Sequence, residues 1–246
     1  MNRVKCIFLC AGYATRMYPL TKDFPKSLLE INGKPLINYL IEDLETKKYI
    51  DEYIIISNHK FINVFNLWKK QQKLTNITIL DDGTTSNETR LGAVKDIEFV
   101  IETLKINDDI LVLAGDNLLD FSLNKFIEYF HSKKSNCVMT YIEKEISRLQ
   151  RTGVAIIDSN DLIVEMEEKP QIPKSCNAIP PFYIFKKDDL NEIANGIKDG
   201  CFLDSPGGFV EWFSKKKMVY AFHMPGNRVD IGNLDDYYKI NNKPFI

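Results

Sequence analysis

Val4-Lys5-Cys6-Ile7-Phe8-Leu9, followed at once by Cys10-Ala11-Gly12-Tyr13-Ala14-Thr15-Arg16, decides how the rest of the chain is read. The first six residues have the length and the apolar, β-branched content of a buried strand, and the small residues after them mark a turn. Ligands of an open α/β sheet sit beyond the carboxyl ends of its strands, so a binding loop belongs at this turn. Moving outward, the same unit recurs. Strand candidates at Val4 to Leu9, Tyr53 to Ser57, Ile77 to Leu80 and Ile110 to Leu113 are interleaved with, or followed by, helix-period segments near Leu36 to Thr46, Val64 to Lys73, Leu91 to Thr103 and Leu123 to His131. Such alternation predicts an α/β fold, with crossover helices joining the parallel strands of a doubly wound sheet.

From Cys137 to Ile142 onward the strands shorten (Val154 to Ile157, Ile163 to Glu167, Pro181 to Phe185) and turn residues increase, which predicts an antiparallel portion lying over the first sheet. Two late helices, near Leu190 to Asn195 and Phe209 to Lys216, precede a strand at Met218 to His223. With no internal repeat, low-complexity stretch or Pro/Gly-rich linker, residues 1–246 are expected to form a single domain with two lobes.

Lys plus Arg number 32 against 34 Asp plus Glu, so no overall basic excess exists to hold a nucleic-acid backbone, and phosphate binding must be local. Cys6, Cys10, Cys137, Cys176 and Cys201 form neither a CxxC pair nor a Cys/His cluster and read as reduced thiols of a cytoplasmic protein. The apolar run near the amino terminus is too short for a signal peptide, and no stretch approaches the roughly 18 apolar residues of a membrane span. Neither nucleic acid nor membrane is an expected partner. His59, His131 and His223 lack ligand spacing, and Phe61, Phe65 and Trp68 fall at helical spacing as a core stripe.

Small residues at Ala11, Gly12 and Ala14 let backbone amides approach phosphate oxygens closely, while Arg16 offers a planar donor fork and Lys26, in Pro25-Lys26-Ser27, a point charge. Neither GxGxxG nor GxxxxGK[ST] fits this loop. The apolar run Ile110 to Ala114 ends in Gly115-Asp116-Asn117, which sets one carboxylate at the carboxyl edge of a strand. A second stands at Asp230 in Arg228-Val229-Asp230-Ile231-Gly232-Asn233, whereas Asp235 and Asp236 read as first-turn acids of the helix that follows. Each Asp taken singly is an ordinary turn or cap residue.

The run Leu9-x-Ala11-Gly12-x-Ala14-Thr15-Arg16-Met17-x-Pro19-Leu20-Thr21-x3-Pro25-Lys26-x-Leu28-Leu29, followed by Gly33-Lys34-Pro35-Leu36-Ile37, resembles the amino-terminal signature of the sugar-phosphate nucleotidyltransferases. Ala14 stands where that family usually has Gly. The resemblance implies a Rossmann-like, doubly wound mixed sheet with a smaller antiparallel acceptor-binding lobe. It implies that Leu9 and residues Ala11, Gly12, Tyr13, Ala14 and Thr15 cradle an NTP, that Arg16 holds the outer phosphates, and that Lys26 bridges the phosphates of both substrates, Arg16 and Lys26 being the catalytic pair. Asp116 and Asp230 match the positions that coordinate Mg²⁺ in the family; Mg²⁺ is content with one or two carboxylates plus substrate phosphates. The stretch Val164-Glu165-Met166-Glu167-Glu168-Lys169-Pro170 resembles the acceptor-holding Glu-Lys-Pro element, with Glu168 toward acceptor hydroxyls and Lys169 toward its phosphate, and Arg151-Thr152-Gly153-Val154 resembles the loop where Gly153 approaches the sugar. Thr152 and Pro180-Pro181 depart from the pattern of hexose-1-phosphate enzymes. The base-reading segment aligns only loosely, with Asp82, Gly83 and Asn87 as candidates, and a capped loop reads it as well.

The implied chemistry is Mg²⁺-dependent nucleotidyl transfer from an NTP to a sugar-1-phosphate, giving an NDP-sugar and pyrophosphate. An acceptor phosphate is already an anionic nucleophile, so a chain with no Ser/His/Asp or Cys/His constellation suits it. Two alternatives stand beside it: cytidylyl transfer to a non-sugar phosphate such as phosphocholine, and a regulatory subunit that binds nucleotide without turnover. The partners expected are an NTP and a small phosphorylated acceptor. The chain ends 16 residues after Asp230, so no appended acyltransferase or regulatory domain is expected, and a homo-oligomer would form through the catalytic domain itself.

Overall fold

The opening strand forms as its composition predicts. In the computed structural model, which describes residues 3–241, Val4–Leu9 runs parallel to Ile50–Ser57, which in turn runs parallel to Ile77–Asp81. Ile54, Ile55 and Ile56 are wholly buried, the mark of a parallel strand covered on both faces. Helix Leu36–Glu45 buries Leu36, Ile37, Leu40, Ile41 and Leu44 along one stripe, and helix Ile62–Gln71 buries Phe65 and Trp68, the core stripe read from their spacing. The class is mixed α/β.

The chain divides into two compact units. The first comprises the segment through Arg90, Ala114–Asn124 and the segment from Pro225. Besides the three parallel strands it holds two short antiparallel ribbons, Glu30–Ile31 with Lys34–Pro35 and Asn117–Leu119 with Arg228–Asp230, and helix Leu234–Asn241. Met17, Leu29, Ile31, Leu36, Leu118 and Ile231 close into one apolar cluster. That cluster fastens a segment more than 200 residues along the chain to the loops that follow the first strand.

The second unit comprises Leu91–Leu113 and Lys125–Met224. Its strands lie in the order Ile163–Glu168, Gly153–Ile157, Asn177–Ile179, Asn136–Ile142, Phe182–Phe185 and Ile110–Ala114, with Val219–His223 parallel to Asn136–Ile142. The antiparallel strands do not stack over Ile110–Ala114 as the sequence suggested. Phe182 pairs with Leu113 and Phe185 with Ile110, edge to edge in one layer. The physical reason is that all four residues of Phe182–Phe185 are buried, and a strand apolar on both faces belongs inside a sheet. Among the described residues no helix is long and apolar enough to cross a membrane.

Gly92 precedes helix Ala93–Leu104 at φ +94, ψ 149, backbone space that is essentially glycine's alone, and a Cβ there would stand 2.8 Å from the carbonyl oxygen of Leu203. The amide of Val94 donates to that same oxygen at 3.1 Å, so the oxygen is held in place. Gly92→Ala is therefore expected to destabilise the protein by about 2–3 kcal/mol, read as a lower urea midpoint at unchanged slope. An unchanged midpoint would show that this entry to the helix relaxes freely.

Candidate active site

The loop after the first strand is held from beneath. Buried Asn58 donates through Nδ2 to the carbonyl of Ala11 at 2.8 Å, and buried Thr21 donates through Oγ1 to that of Ala14 at 2.8 Å. Ala11 and Tyr13 are buried, and the space beside the α-carbon of Gly12 is open, with no atom within 4 Å of where a Cβ would stand. Leu9 is the last residue of the strand. Ala14 is left-handed at φ 46, ψ 44, the conformation in which glycine carries no Cβ penalty. Thr15 and Arg16 are exposed in the short turn Thr15–Met17, and Arg16 has no ion-pair or hydrogen-bond partner among the described residues.

Lys26, Asp116 and Asp230 come from three distant segments to one point. The Lys26 ammonium donates to Oδ2 of Asp116 at 2.6 Å and lies 4.0 Å from Oδ1 of Asp230. The ribbon accounts for the meeting, because Asp230 is the register partner of Asn117, next in sequence to Asp116, and the amide of Ile231 donates to the Asp116 carbonyl. Burial pushes the Asp116 carboxyl upward, but the charge and hydrogen bond of Lys26, with the charge of Arg228, outweigh it and hold Asp116 below the usual carboxylate range. Asp230 is raised by burial and by the Asp116 charge. With 51% of its side chain in solvent, the neighbouring charge is the firmer cause.

Two carboxylates offer hard oxygen donors, and among the described residues no group of three or more His, Cys, Asp or Glu side chains could hold a metal. That donor set fits Mg²⁺, which completes its octahedron with water and substrate phosphate rather than with a protein cage. It does not fit a closed zinc site.

The base-side candidates lie in the same unit. Gly83 sits at φ +78 and donates its amide to Oδ1 of Asp81. The Asp82 carboxylate accepts from the backbone amide and hydroxyl of Thr84 at 2.7 and 2.8 Å, so it caps its own loop. Asn87 opens the short turn Asn87–Thr89. The hydroxyl of Tyr13 lies 3.4 Å from that of Thr84, which ties this loop to the one that follows the first strand.

Gly153, Glu168 and Lys169 cluster in the second unit. Gly153 opens its strand with Met166 and Glu168 so close that a Cβ would lie 2.6 Å from Cε of the first and 3.0 Å from Oε2 of the second. Ser205 donates to Oε1 of Glu168 at 2.7 Å, while Oε2 lies against Gly207, where a Cβ would come within 2.0 Å. Burial raises the Glu168 carboxyl above the usual range and the Glu211 charge adds to it, with the Ser205 hydrogen bond and the Lys169 charge opposing. Lys169 follows in a left-handed turn at φ 51; its ammonium stands 4.9 Å from the Phe202 ring centroid and makes no ion pair among the described residues.

Several organising residues carry no sequence signal of their own. Asn58, Thr21 and Ser205 each reach the site residues through one side-chain hydrogen bond, to partners 7 to 47 residues away. Asn117 and Arg228 flank the two carboxylates in the sequence and were legible only as neighbours of them.

The family model for nucleotidyl transferases matches residues 5–244. A protein of Sulfolobus acidocaldarius that carries the name of a mannose-1-phosphate guanyltransferase is 30% identical over 240 residues, 97% of this chain and 62% of its own length. A glucose-1-phosphate adenylyltransferase of Fervidobacterium nodosum is 27% identical over 258 residues, 98% of this chain and 61% of its own. The chain thus spans about three fifths of the length of these curated relatives. Among solved structures it is similar to a glucose-1-phosphate thymidylyltransferase of Bacillus anthracis in complex with sucrose, at 25% identity and a TM-score of 0.78, covering 97% of this chain and 94% of that one.

The raised Glu168 carboxyl has a consequence for stability. Its folded form holds a proton more tightly than the unfolded chain does, so its contribution is complete below the ordinary Glu value of about 4.3 and is lost as pH rises through the raised value. Glu168→Gln, which keeps an acceptor for Ser205, is expected to gain in Tm relative to the unsubstituted protein as pH climbs from about 4 to about 7. A Tm difference that stays flat across this range would remove burial as the cause.

Proposed function

The chain belongs to the nucleotidyl transferase family, and from that premise we propose that it transfers a nucleotidyl group from an NTP to a sugar-1-phosphate, forming an NDP-sugar and releasing pyrophosphate. The observation that carries the reading is the convergence of Lys26, Asp116 and Asp230 in the unit that also holds the small-residue loop. Relatives whose names specify mannose-1-phosphate and glucose-1-phosphate support a sugar acceptor. No observation favours phosphocholine, and the presence of Arg16, Lys26, Asp116 and Asp230 together speaks against a subunit without turnover. The reading takes the whole chain as one catalytic domain of the cytoplasm.

In the reaction, a phosphate oxygen of the acceptor forms a bond to the α-phosphorus of the NTP. The bond from that phosphorus to the bridging α–β oxygen breaks, and its electrons leave with pyrophosphate. Since the nucleophile is already anionic, the protein's work is alignment and charge compensation. The open side of Gly12 admits the phosphates to the loop backbone, and Arg16, without a partner among the described residues, offers its fork to the outer phosphates. Lys26 offsets charge on the phosphates from its seat between the two carboxylates. Asp116 and Asp230 would hold Mg²⁺, which when bound supplies Lewis-acid neutralisation of phosphate oxygens. Lys169 takes the acceptor phosphate and Gly153 with Glu168 the sugar. Asp82, Gly83 and Asn87 line the base side, Asp82 acting through the loop it caps.

Pyrophosphate release from a matrix of NTPs and phosphorylated acceptors tests the reading. Release with at least one sugar-1-phosphate is expected; release with phosphocholine alone, or with no acceptor at all, would overturn it. With the best pair, Asp116→Asn and Asp230→Asn should each lower kcat by about two or more orders of magnitude in a folded protein. Near-normal turnover at saturating Mg²⁺ in either variant takes that Asp out of the mechanism. Lys169→Ala should raise the acceptor KM about tenfold or more while leaving the NTP KM nearly unchanged. Equal effects on both substrates would sink its assignment to the acceptor.

A further inference from the structure

One buried side chain connects the charged groups of the proposed donor site without being charged itself. Asn117 is wholly buried. Its Nδ2 donates to Oδ1 of Asp116 at 2.7 Å, and its Oδ1 accepts from Nη1 of Arg228 at 2.6 Å. Chemistry fixes the orientation of this amide: a guanidinium only donates and a carboxylate only accepts, so the oxygen must face Arg228 and the nitrogen must face Asp116. The two oxygens of Asp116 are thereby given different duties. Oδ1 is pinned by Asn117, and Oδ2 is the one that meets Lys26. The backbone of Asn117 already pairs with Asp230 in the ribbon, so the side-chain amide is not needed to form that pairing.

We propose that Arg228 and Asn117 form a hydrogen-bonded relay that positions the Asp116 carboxylate, fixing its plane so that Oδ2 is directed to the cation of the donor site. Asn117 bonds Asp116 and Arg228 bonds Asn117, so both act through Asp116 as positioning residues. The proposal rests on the reading of Asp116 and Asp230 as the Mg²⁺ ligands. Partners of this kind, one bond removed from a metal ligand, typically set metal affinity within a factor of about 10–100. The relay also explains the residue types. An Asp at 117 would accept from Arg228 but repel Asp116, and a Lys at 228 would keep the charge while losing the fork geometry that reaches the amide oxygen.

The test is Mn²⁺ binding to the full chain, followed by water-proton relaxation in the absence of any substrate, for the unsubstituted protein and for Asp116→Ala, Asn117→Leu, Arg228→Met and the Asn117→Leu/Arg228→Met double variant, each checked for a cooperative thermal transition. The unsubstituted protein should bind Mn²⁺ and Asp116→Ala should not. Asn117→Leu and Arg228→Met should each weaken binding by about 10–100-fold. The double variant should be no weaker than the worse single one, because both substitutions break one chain. Arg228 is only partly buried, so Arg228→Met decides the matter alone should Asn117→Leu fail to fold. Mn²⁺ affinity unchanged in Arg228→Met, or effects that multiply in the double variant, would overturn the relay while leaving the metal reading intact. Absence of Asp116-dependent Mn²⁺ binding in the unsubstituted protein is a different failure: it would remove the metal reading itself, and the relay with it.

Discussion

Two ionised carboxylates brought together in a partly buried place repel one another unless a cation or a retained proton compensates them. At about 4 Å and an effective dielectric near 20, two unit charges of like sign cost about 4 kcal/mol, and the fold of the first unit is arranged around removing that cost. The ribbon between Asn117–Leu119 and Arg228–Asp230 forces Asp116 and Asp230 together. Lys26 answers with its ammonium, and Arg228 adds a second positive charge one hydrogen bond further away. The opposite displacements of the two carboxyls, Asp116 downward and Asp230 upward, are the signature of a pair whose compensation is unequal. Such a pair retains a demand for further positive charge, which on the proposed reading a hard divalent cation would meet.

An apolar cluster packs together the segments that carry this charge centre. Leu118 of the ribbon and Ile231 just after it are buried in the cluster with Met17, Leu29, Ile31 and Leu36. Met17 closes the turn that presents Arg16, and Leu29 follows the turn that presents Lys26. Burial of these side chains thus holds the phosphate loop, the lysine and both carboxylates by one packing event. In the second unit the arrangement is of another kind. Glu168 is drawn inward by Ser205 and packed against Gly207, while the adjoining Lys169 is exposed and makes no ion pair among the described residues.

The sequence made visible what is local or repeated. The parallel strands were legible because Val, Ile and Leu fill runs of strand length, and the helices because Leu36, Leu40 and Leu44 recur on one face. The positions of Arg16, Lys26, Asp116 and Asp230 were legible as a long spaced pattern rather than from any single residue. What stayed hidden is short or long-range. Three-residue strands such as Asn117–Leu119 and Asn177–Ile179 are too brief to show a period. The edge-to-edge insertion of Phe182–Phe185 depends on partners about 70 residues upstream. For Asp82 the sequence leaves both a base contact and a capped loop open, and its carboxylate closes a turn onto Thr84, a local bond that spacing alone does not choose. Asn117 has no periodic or motif signal, since its meaning lies in Arg228, 111 residues away.

On the proposed reading, the Lys26, Asp116 and Asp230 centre is a nucleotide-phosphate site whose charge is completed by a divalent cation. That reading is met most directly by calorimetric titration of the full chain with the NTP it accepts, once in millimolar Mg²⁺ and once in EDTA. The charge centre predicts binding in Mg²⁺ that weakens by about tenfold or more when the cation is removed. Equal affinity in the two solutions, or tighter binding in EDTA, would contradict it.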